Sequence, residues 1–209
     1  MQYFEDTVVL ANQYKCHLIF LSSNLVFEGS KQTYYENDQP LPYNNMGVLY
    51  HKKETYCIAN LENYSLLRLS SIFGFHNQTN NDILGDIINK LSSDTSLELP
   101  NYYYTNYTYI EDISLAVLKI LEKDKKGIFN IACKDAYSLY NMAIKIADIF
   151  NLNKDLIKLT NNIDNFVKLY PEYCSLDTSK ASFELGIKIS TFDNALLSHR
   201  FYMNRKKRK

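Results

Sequence analysis

"CHLIFLSSNLVFEG", residues 16–29, is the stretch on which the fold turns. Its first half is a short continuous apolar run, the pattern of a parallel strand covered by helices on both faces. The small polar residues Ser22, Ser23 and Asn24 come next, and the carboxyl end of such a strand is where open α/β sheets bind ligands. Ser23 has two readings there. It either positions a substrate carbonyl or hydroxyl, or it ends the strand by hydrogen-bonding the backbone; taken alone, the second is the stronger. Just upstream, "TVVLANQYK" (7–15) has a helical apolar period, so a helix feeds a buried strand.

The same alternation runs on in both type and order. "GVLYHKKETYCIANL" (47–61) reads as a helix, "YSLLRLSSIFG" (64–74) as a strand and "DILGDIINKLSS" (82–93) as a helix. "YTYIEDISLAVLKILEKD" (107–124) turns from an extended entry into a helix, "GIFNIAC" (127–133) is strand-like, and "SLYNMAIKIADIFNL" (138–152) is an amphipathic helix. Alternating strands and helices predict an α/β layer structure rather than a bundle or sandwich. The remainder is less regular, and the Asn-rich patches at 77–81 and 161–165 read as loops.

With 209 residues and 46% hydrophobic content, one domain with a proper core is the default. Lys plus Arg and Asp plus Glu balance at 23 each, which gives no field to attract nucleic acid or an anionic membrane. The basic run at 205–209 reads as a solvated, disordered end. Cys16, Cys57, Cys133 and Cys174 are scattered, with no CxxC and no nearby His at ligand spacing, and read as buried reduced thiols rather than metal ligands. No apolar run reaches membrane-spanning length and the N-terminus lacks a signal-peptide pattern, so a cytoplasmic location is expected.

The chemistry rests on "QPLPYNNMGVLYHKKE" (39–54) and the loop before it, which carries Tyr35, Glu36, Asp38, Pro40, Pro42 and Asn44 at fixed spacing. Together with "SSNLVFEG" (22–29), Leu67-Arg68, Phe73-Gly74, "TYIEDIS" (108–114), "GIFNIA" (127–132) and "LDTSKASFELGI" (176–187), the pattern resembles the extended short-chain dehydrogenase/reductases. It is most similar to the dTDP-4-dehydrorhamnose reductase family and its non-enzymatic relative, the regulatory beta subunit of methionine adenosyltransferase. The resemblance covers almost the whole chain. It implies a partial Rossmann-like parallel sheet with helices on both faces in residues 1–100. A mixed substrate-binding part over 101–195 and the basic tail at 200–209 complete the single domain.

In that family a Tyr-Gly-x-x-Lys-x-x-x-Glu run places Tyr and Lys on one helix face, where the ammonium lowers the phenol's pKa for proton donation during hydride transfer. Aligning Gly47 and Glu54 with the family's Gly and Glu puts Met46 at the Tyr and Tyr50 at the Lys. A thioether donates no proton, and a phenol at the second position supplies no charge. Tyr50 with Lys53 would displace the reacting group by roughly 6 Å along the helix, beyond catalytic tolerance. Tyr202 and Lys206 have the literal spacing but no strand before them.

The family also opens with a Gly-rich phosphate loop, and no two of the six glycines here are close enough to form one. The resemblance therefore implies that the opening βαβα portion is missing and that no cofactor is held by this chain alone, although the parent family uses NADPH or NADH. The "HLIFL" strand would then keep an unpaired edge, which calls for a protein partner, a rearranged edge or self-association.

What remains is the substrate side: the resemblance implies that Ser23, Asn24, Arg68, Phe73, Gly74, Thr108 and Tyr109 line a nucleotide-sugar cleft. Arg68 also reads as a structural ion-pair partner, and Asp112 is favoured as a helix cap. The tyrosines of "NYYYTNYTY" (101–109) read either as stacking rings or as packing. The expected function is that of a sugar-nucleotide-binding protein of the dTDP-rhamnose biosynthesis type, without dinucleotide loop or dyad and not catalytic alone. Three alternatives stay open: an NAD(P)H-dependent reductase completed by a missing N-terminal half, a regulatory subunit like the methionine adenosyltransferase beta subunit, and an inactive remnant.

Overall fold

The computed structural model describes residues 1–74 and 82–206; the patch at 77–81 and residues 207–209 lie outside the described residues. Helix α1 (Gln2–Gln13) enters β1 (Leu18–Ser23), and the loop beyond carries the short β2 (Thr33–Tyr34) before α2 (Asn45–Asn60). Then come β3 (Tyr64–Leu69), β4 (Ile72–Phe73), α3 (Ile83–Ser92), β5 (Leu97–Pro100), β6 (Thr108–Tyr109), α4 (Ile110–Lys123) and β7 (Gly127–Ile131). The chain closes with α5 (Leu139–Phe150), β8 (Ile157–Thr160), β9 (Ser175–Leu176), α6 (Ser179–Leu185) and α7 (Phe192–Lys206).

The central sheet is parallel, in the order β1-β3-β7, with Ser22 opposite Arg68 and Arg68 opposite Asn130. Successive side chains in a strand face opposite ways, so β3 feeds two separate cores. Leu66 joins Val8, Ala11, Cys57 and Leu61 under α1 and α2. Leu67 and Leu69 join Ile113, Ala116, Ile120, Phe129, Ala181 and Leu185 under α4 and α6. The expected sheet with helices on both faces is therefore present.

Within the described residues β1 pairs only with β3, and Leu21 on it is 43% exposed. A third core, rich in aromatics, joins α3, α5 and α7 to the turn after β1, to β4 and β6, and to the loop between β5 and β6. The strand pair β5-β8 belongs to this part and had no counterpart in the periodicity. Strands of four residues or fewer, such as β2-β9 and β4-β6, exist through long-range pairing and carry no periodic signal of their own.

Local chemistry fixes the helix ends. Asn44, Asp82 and Ser138 cap α2, α3 and α5 with side-chain oxygens that accept from Gly47, Gly85 and Asn141 backbone N–H groups. Two sequence expectations need correction here. Cys16 is exposed, whereas Cys57, Cys133 and Cys174 are buried free thiols. The basic run also begins inside structure, because α7 continues to Lys206 and carries Tyr202 and Arg205.

Candidate functional site

The carboxyl end of β1 meets the start of α2, and the geometry there is set by Gly47 and Glu54. A Cβ on Gly47 would collide with the Leu25 carbonyl, so only glycine lets the first turn of α2 pack on the turn after β1. Two turns further on, Glu54 is buried and accepts from Ser22 Oγ at 2.6 Å, from Arg68 Nε at 3.0 Å and from Arg68 Nη2 at 2.8 Å. Gly47 and Glu54 together fix both the axial position and the rotation of α2.

That register decides what faces the cleft end of the sheet. Met46, in the first turn of α2, is 53% exposed. Tyr50 packs its ring toward Phe20 of β1, 6.3 Å between centroids, and the Lys53 ammonium lies over the rings of Tyr50 and Phe4 at 5.9 and 5.6 Å. Lys53 thus covers the seam between α1 and α2.

Ser23 is half-buried and its hydroxyl accepts from Leu25 N at 3.2 Å, the local backbone bond that a strand-ending serine makes. Asn24 is buried, with its amide donating to Thr105 Oγ1 (3.2 Å) and to the Cys174 carbonyl (2.9 Å). It fastens the end of β1 to two later segments.

Arg68, which the resemblance places along the cleft, is buried in an ion pair inside the protein. Its side chain and that of Glu54 are each 2% exposed, its third donor reaches the Glu36 carbonyl at 3.1 Å, and its guanidinium lies 5.0 Å from the Phe27 ring centre. A charge buried this deeply is tolerated only when paired, and at 2% exposure the guanidinium is turned to Glu54 and Glu36 rather than to solvent. The next position in the row, Asn130, donates its backbone N–H to Glu36 Oε1 at 2.9 Å and its amide to the Tyr34 carbonyl at 3.1 Å. Ser22, Arg68 and Asn130 form one polar row across the three strands, closed by Glu54 from α2 and Glu36 from the proline loop.

The remaining expected cleft residues pack internally as well. Thr108 is buried, accepting from Ser70 N (3.0 Å) and donating to the Ile131 carbonyl (2.9 Å). Phe73 and Tyr109 are buried in mutual contact, 5.4 Å between ring centres, and Phe73 meets Phe192 edge-on at 5.3 Å. Gly74 has φ +99°, and a Cβ there would lie 2.6 Å from the Tyr109 ring, so it is needed for both conformation and contact. Burial pushes the Tyr109 hydroxyl well above the ordinary tyrosine range.

Two further readings are corrected. Asp112 does not cap α4; its carboxylate accepts from Ser190 N and Ser190 Oγ at 3.1 and 2.9 Å, tying the helix to the segment before α7. Of the tyrosine cluster, Tyr103 is buried and stacked on Tyr170 at 4.4 Å, and Tyr107 is buried against Phe192. Those rings are packing, not a platform for a base.

Sequence reasoning missed Glu36, Ser22 and Asn130 as partners, and used Glu54 only as an alignment mark. The usable signal was Arg68 inside "YSLLRL" and Asn130 inside "GIFNI": a polar side chain in a strand covered on both faces must find buried partners.

Four of the six glycines are committed to packing or capping: Gly29 packs on Pro171, Gly47 on Leu25 and Gly74 on Tyr109, while the Gly85 N–H is taken by Asp82. Among the described residues no cluster of His, Cys, Asp or Glu is placed to hold a metal ion, and no helix is long and apolar enough to cross a membrane.

Comparison with known proteins agrees with this architecture. Among solved structures, dTDP-4-dehydrorhamnose reductase from Bacillus anthracis, in complex with NADP, superposes with a TM-score of 0.87 at 16% identity over 95% of this chain and 70% of that one. A hypothetical dTDP-4-dehydrorhamnose reductase from Sulfolobus tokodaii gives 0.80 at 25% identity, covering 95% and 68%. By sequence, methionine adenosyltransferase 2 subunit beta of Pongo abelii is 26% identical over 188 residues, 83% of this chain and 56% of the relative; the Mus musculus protein is 27% identical over 176 residues, covering 81% and 52%. The chain spans about half the length of these curated relatives. The model of the RmlD substrate binding domain matches residues 5–201, and the chain belongs to that family.

Proposed function

We propose that this chain is a nucleotide-sugar-binding member of its family that does not itself reduce the sugar. The observation that carries the reading is Met46 in the first turn of α2, in a register held by Gly47 against Leu25 and by Glu54 against Arg68. A family enzyme needs a proton donor at that position, and a thioether has no proton to give. Moving a phenol there would require α2 to slide by a turn, which the Gly47 and Glu54 contacts oppose.

The test uses the longest form of the protein that its source makes. It is incubated with NADPH and dTDP-4-dehydrorhamnose, and both cofactor absorbance and ligand saturation-transfer NMR are recorded. The expected result is saturable binding of the nucleotide sugar without NADPH consumption. Turnover that disappears in Tyr50→Phe would overturn the reading and identify a reductase completed by a nucleotide-binding half outside these residues. Absence of binding would remove the nucleotide sugar from the proposal.

A second reading is favoured by a specific observation, the edge of β1, which is unpaired among the described residues and carries the exposed Leu21. Open strand edges recruit partners, and the curated relatives are named as subunits of a larger enzyme. On this reading the fold serves as a protein-binding surface. Leu21→Lys would then abolish co-purification of a stoichiometric partner while leaving the melting temperature nearly unchanged; a partner retained at full stoichiometry would put the contact elsewhere.

A further inference from the structure

An open cavity of about 720 Å³ lies between the β2-β9 pair, the loop after β7 and helix α6. Its lining shares no residue with the Ser23, Met46 and Tyr50 region, so a ligand held there is independent of the nucleotide-sugar cleft. We propose that this cavity is a binding site for a neutral saccharide of one or two hexose units.

The polar groups that the fold leaves unused point to such a ligand. Thr33 on β2, Ser175 on β9 and Ser182 on α6 present hydroxyls that bond to no protein group among the described residues, and none of them is a sealed orphan. Each hydroxyl both donates and accepts, which suits a ligand that does the same. Asp177 adds a carboxylate with one oxygen committed to Ser179 N at 2.9 Å and the other unpartnered, and Lys134 adds an ammonium without an ion pair. One positive and one negative group leave little net field, so an anion is not preferred over a polyol.

The rim supplies the apolar half of sugar recognition. Phe183 lines the same cavity and is 89% exposed. A pyranose offers a ring of hydroxyls at its edge and a face of C–H groups, and a polar floor beside an open aromatic ring matches both surfaces. The cavity's size lies within the range of small-molecule sites.

The test is saturation-transfer NMR on the intact protein with D-glucose, D-galactose, D-mannose and maltose at millimolar concentration, repeated in the presence of dTDP. The variants are Phe183→Ala, which removes an exposed ring, and Ser182→Arg, which fills the cavity; thermal melts verify that both fold. We expect at least one probe to saturate, with affinity falling about tenfold in Phe183→Ala and lost in Ser182→Arg, and no displacement by dTDP. No saturation by any probe overturns the proposal, as does binding unchanged in both variants. Displacement by dTDP would also overturn it, by moving the sugar into the nucleotide-sugar cleft while leaving the proposed nucleotide-sugar binding intact.

Discussion

Across the sheet, Ser22, Arg68 and Asn130 stand in one row, bonded to Glu54 or to the Glu36 loop, with Asn130 Oδ1 left buried without a hydrogen-bond partner. Beside Gly47, on the same helix that supplies Glu54, Met46 lies half in water, and one turn on Tyr50 leans on Phe20 and Lys53. The first region is constrained because a buried charge left without its partner is expensive. The second is loosely constrained because nothing inside the protein requires a particular side chain there. The polar row and the residues at the start of α2 are therefore held by different physical terms, and one can change without the other.

The sharpest way to break this contrast is to remove the centre of the row. Glu54→Ala would leave the Arg68 guanidinium buried and unpaired, with an expected loss of about 3–5 kcal/mol, a large share of a typical domain's stability. Urea unfolding monitored by circular dichroism measures it. Replacing both partners with apolar residues of similar volume, Glu54→Leu with Arg68→Met, should recover most of that loss, because no charge remains unpaired. If the single and double variants were equally unstable, packing rather than charge would hold the row.

Gly47 comes next. Gly47→Ala gains about 1 kcal/mol in helix propensity but drives a Cβ into the Leu25 carbonyl, a backbone atom that cannot rotate away, so a net loss of about 2 kcal/mol is expected. Met46→Ala, one residue away, should stay within about 0.5 kcal/mol of the parent. Thermal unfolding of the pair measures the contrast directly, and equal effects would mean that the register of α2 is not fixed where we place it. Gly74→Ala should fall between them, at about 1–2 kcal/mol, from its left-handed φ and the Tyr109 ring.

How much of this was legible in the sequence divides along the same line. The apolar runs 18–23, 64–69 and 127–131 announced the central sheet because parallel strands covered on both faces leave an unbroken apolar signature. The run 47–61 announced a helix, and Gly47 and Glu54, through the resemblance, placed Met46 and Tyr50 at informative positions. The resemblance implied Arg68, Thr108 and Tyr109 along a cleft, and the residues alone could not say which contacts inside the protein they also make. Only three-dimensional register supplies those contacts: Glu54 lies 14 residues from Arg68, and Glu36 lies 94 from Asn130. The pairs β5-β8 and β2-β9 were invisible for a related reason, since strands of four residues or two have too few positions to display a period.

The smallest effect concerns the far end of the row, where burial raises the Glu36 carboxyl above the ordinary glutamate range against the opposing bond from Asn130 N. The folded protein then holds that proton more tightly than the unfolded chain does. The contribution is fully present below the ordinary glutamate pKa and is lost as pH rises through the raised, folded-state value. Glu36→Gln keeps an Oε1 acceptor for Asn130 and removes the titration. The variant should therefore gain on the parent as pH is raised from acid toward neutral, read as a widening gap between their urea midpoints. Overlapping profiles would mean that the Glu36 carboxylate is solvated as well as bonded, and that only the Glu54–Arg68 half of the row is electrostatically buried.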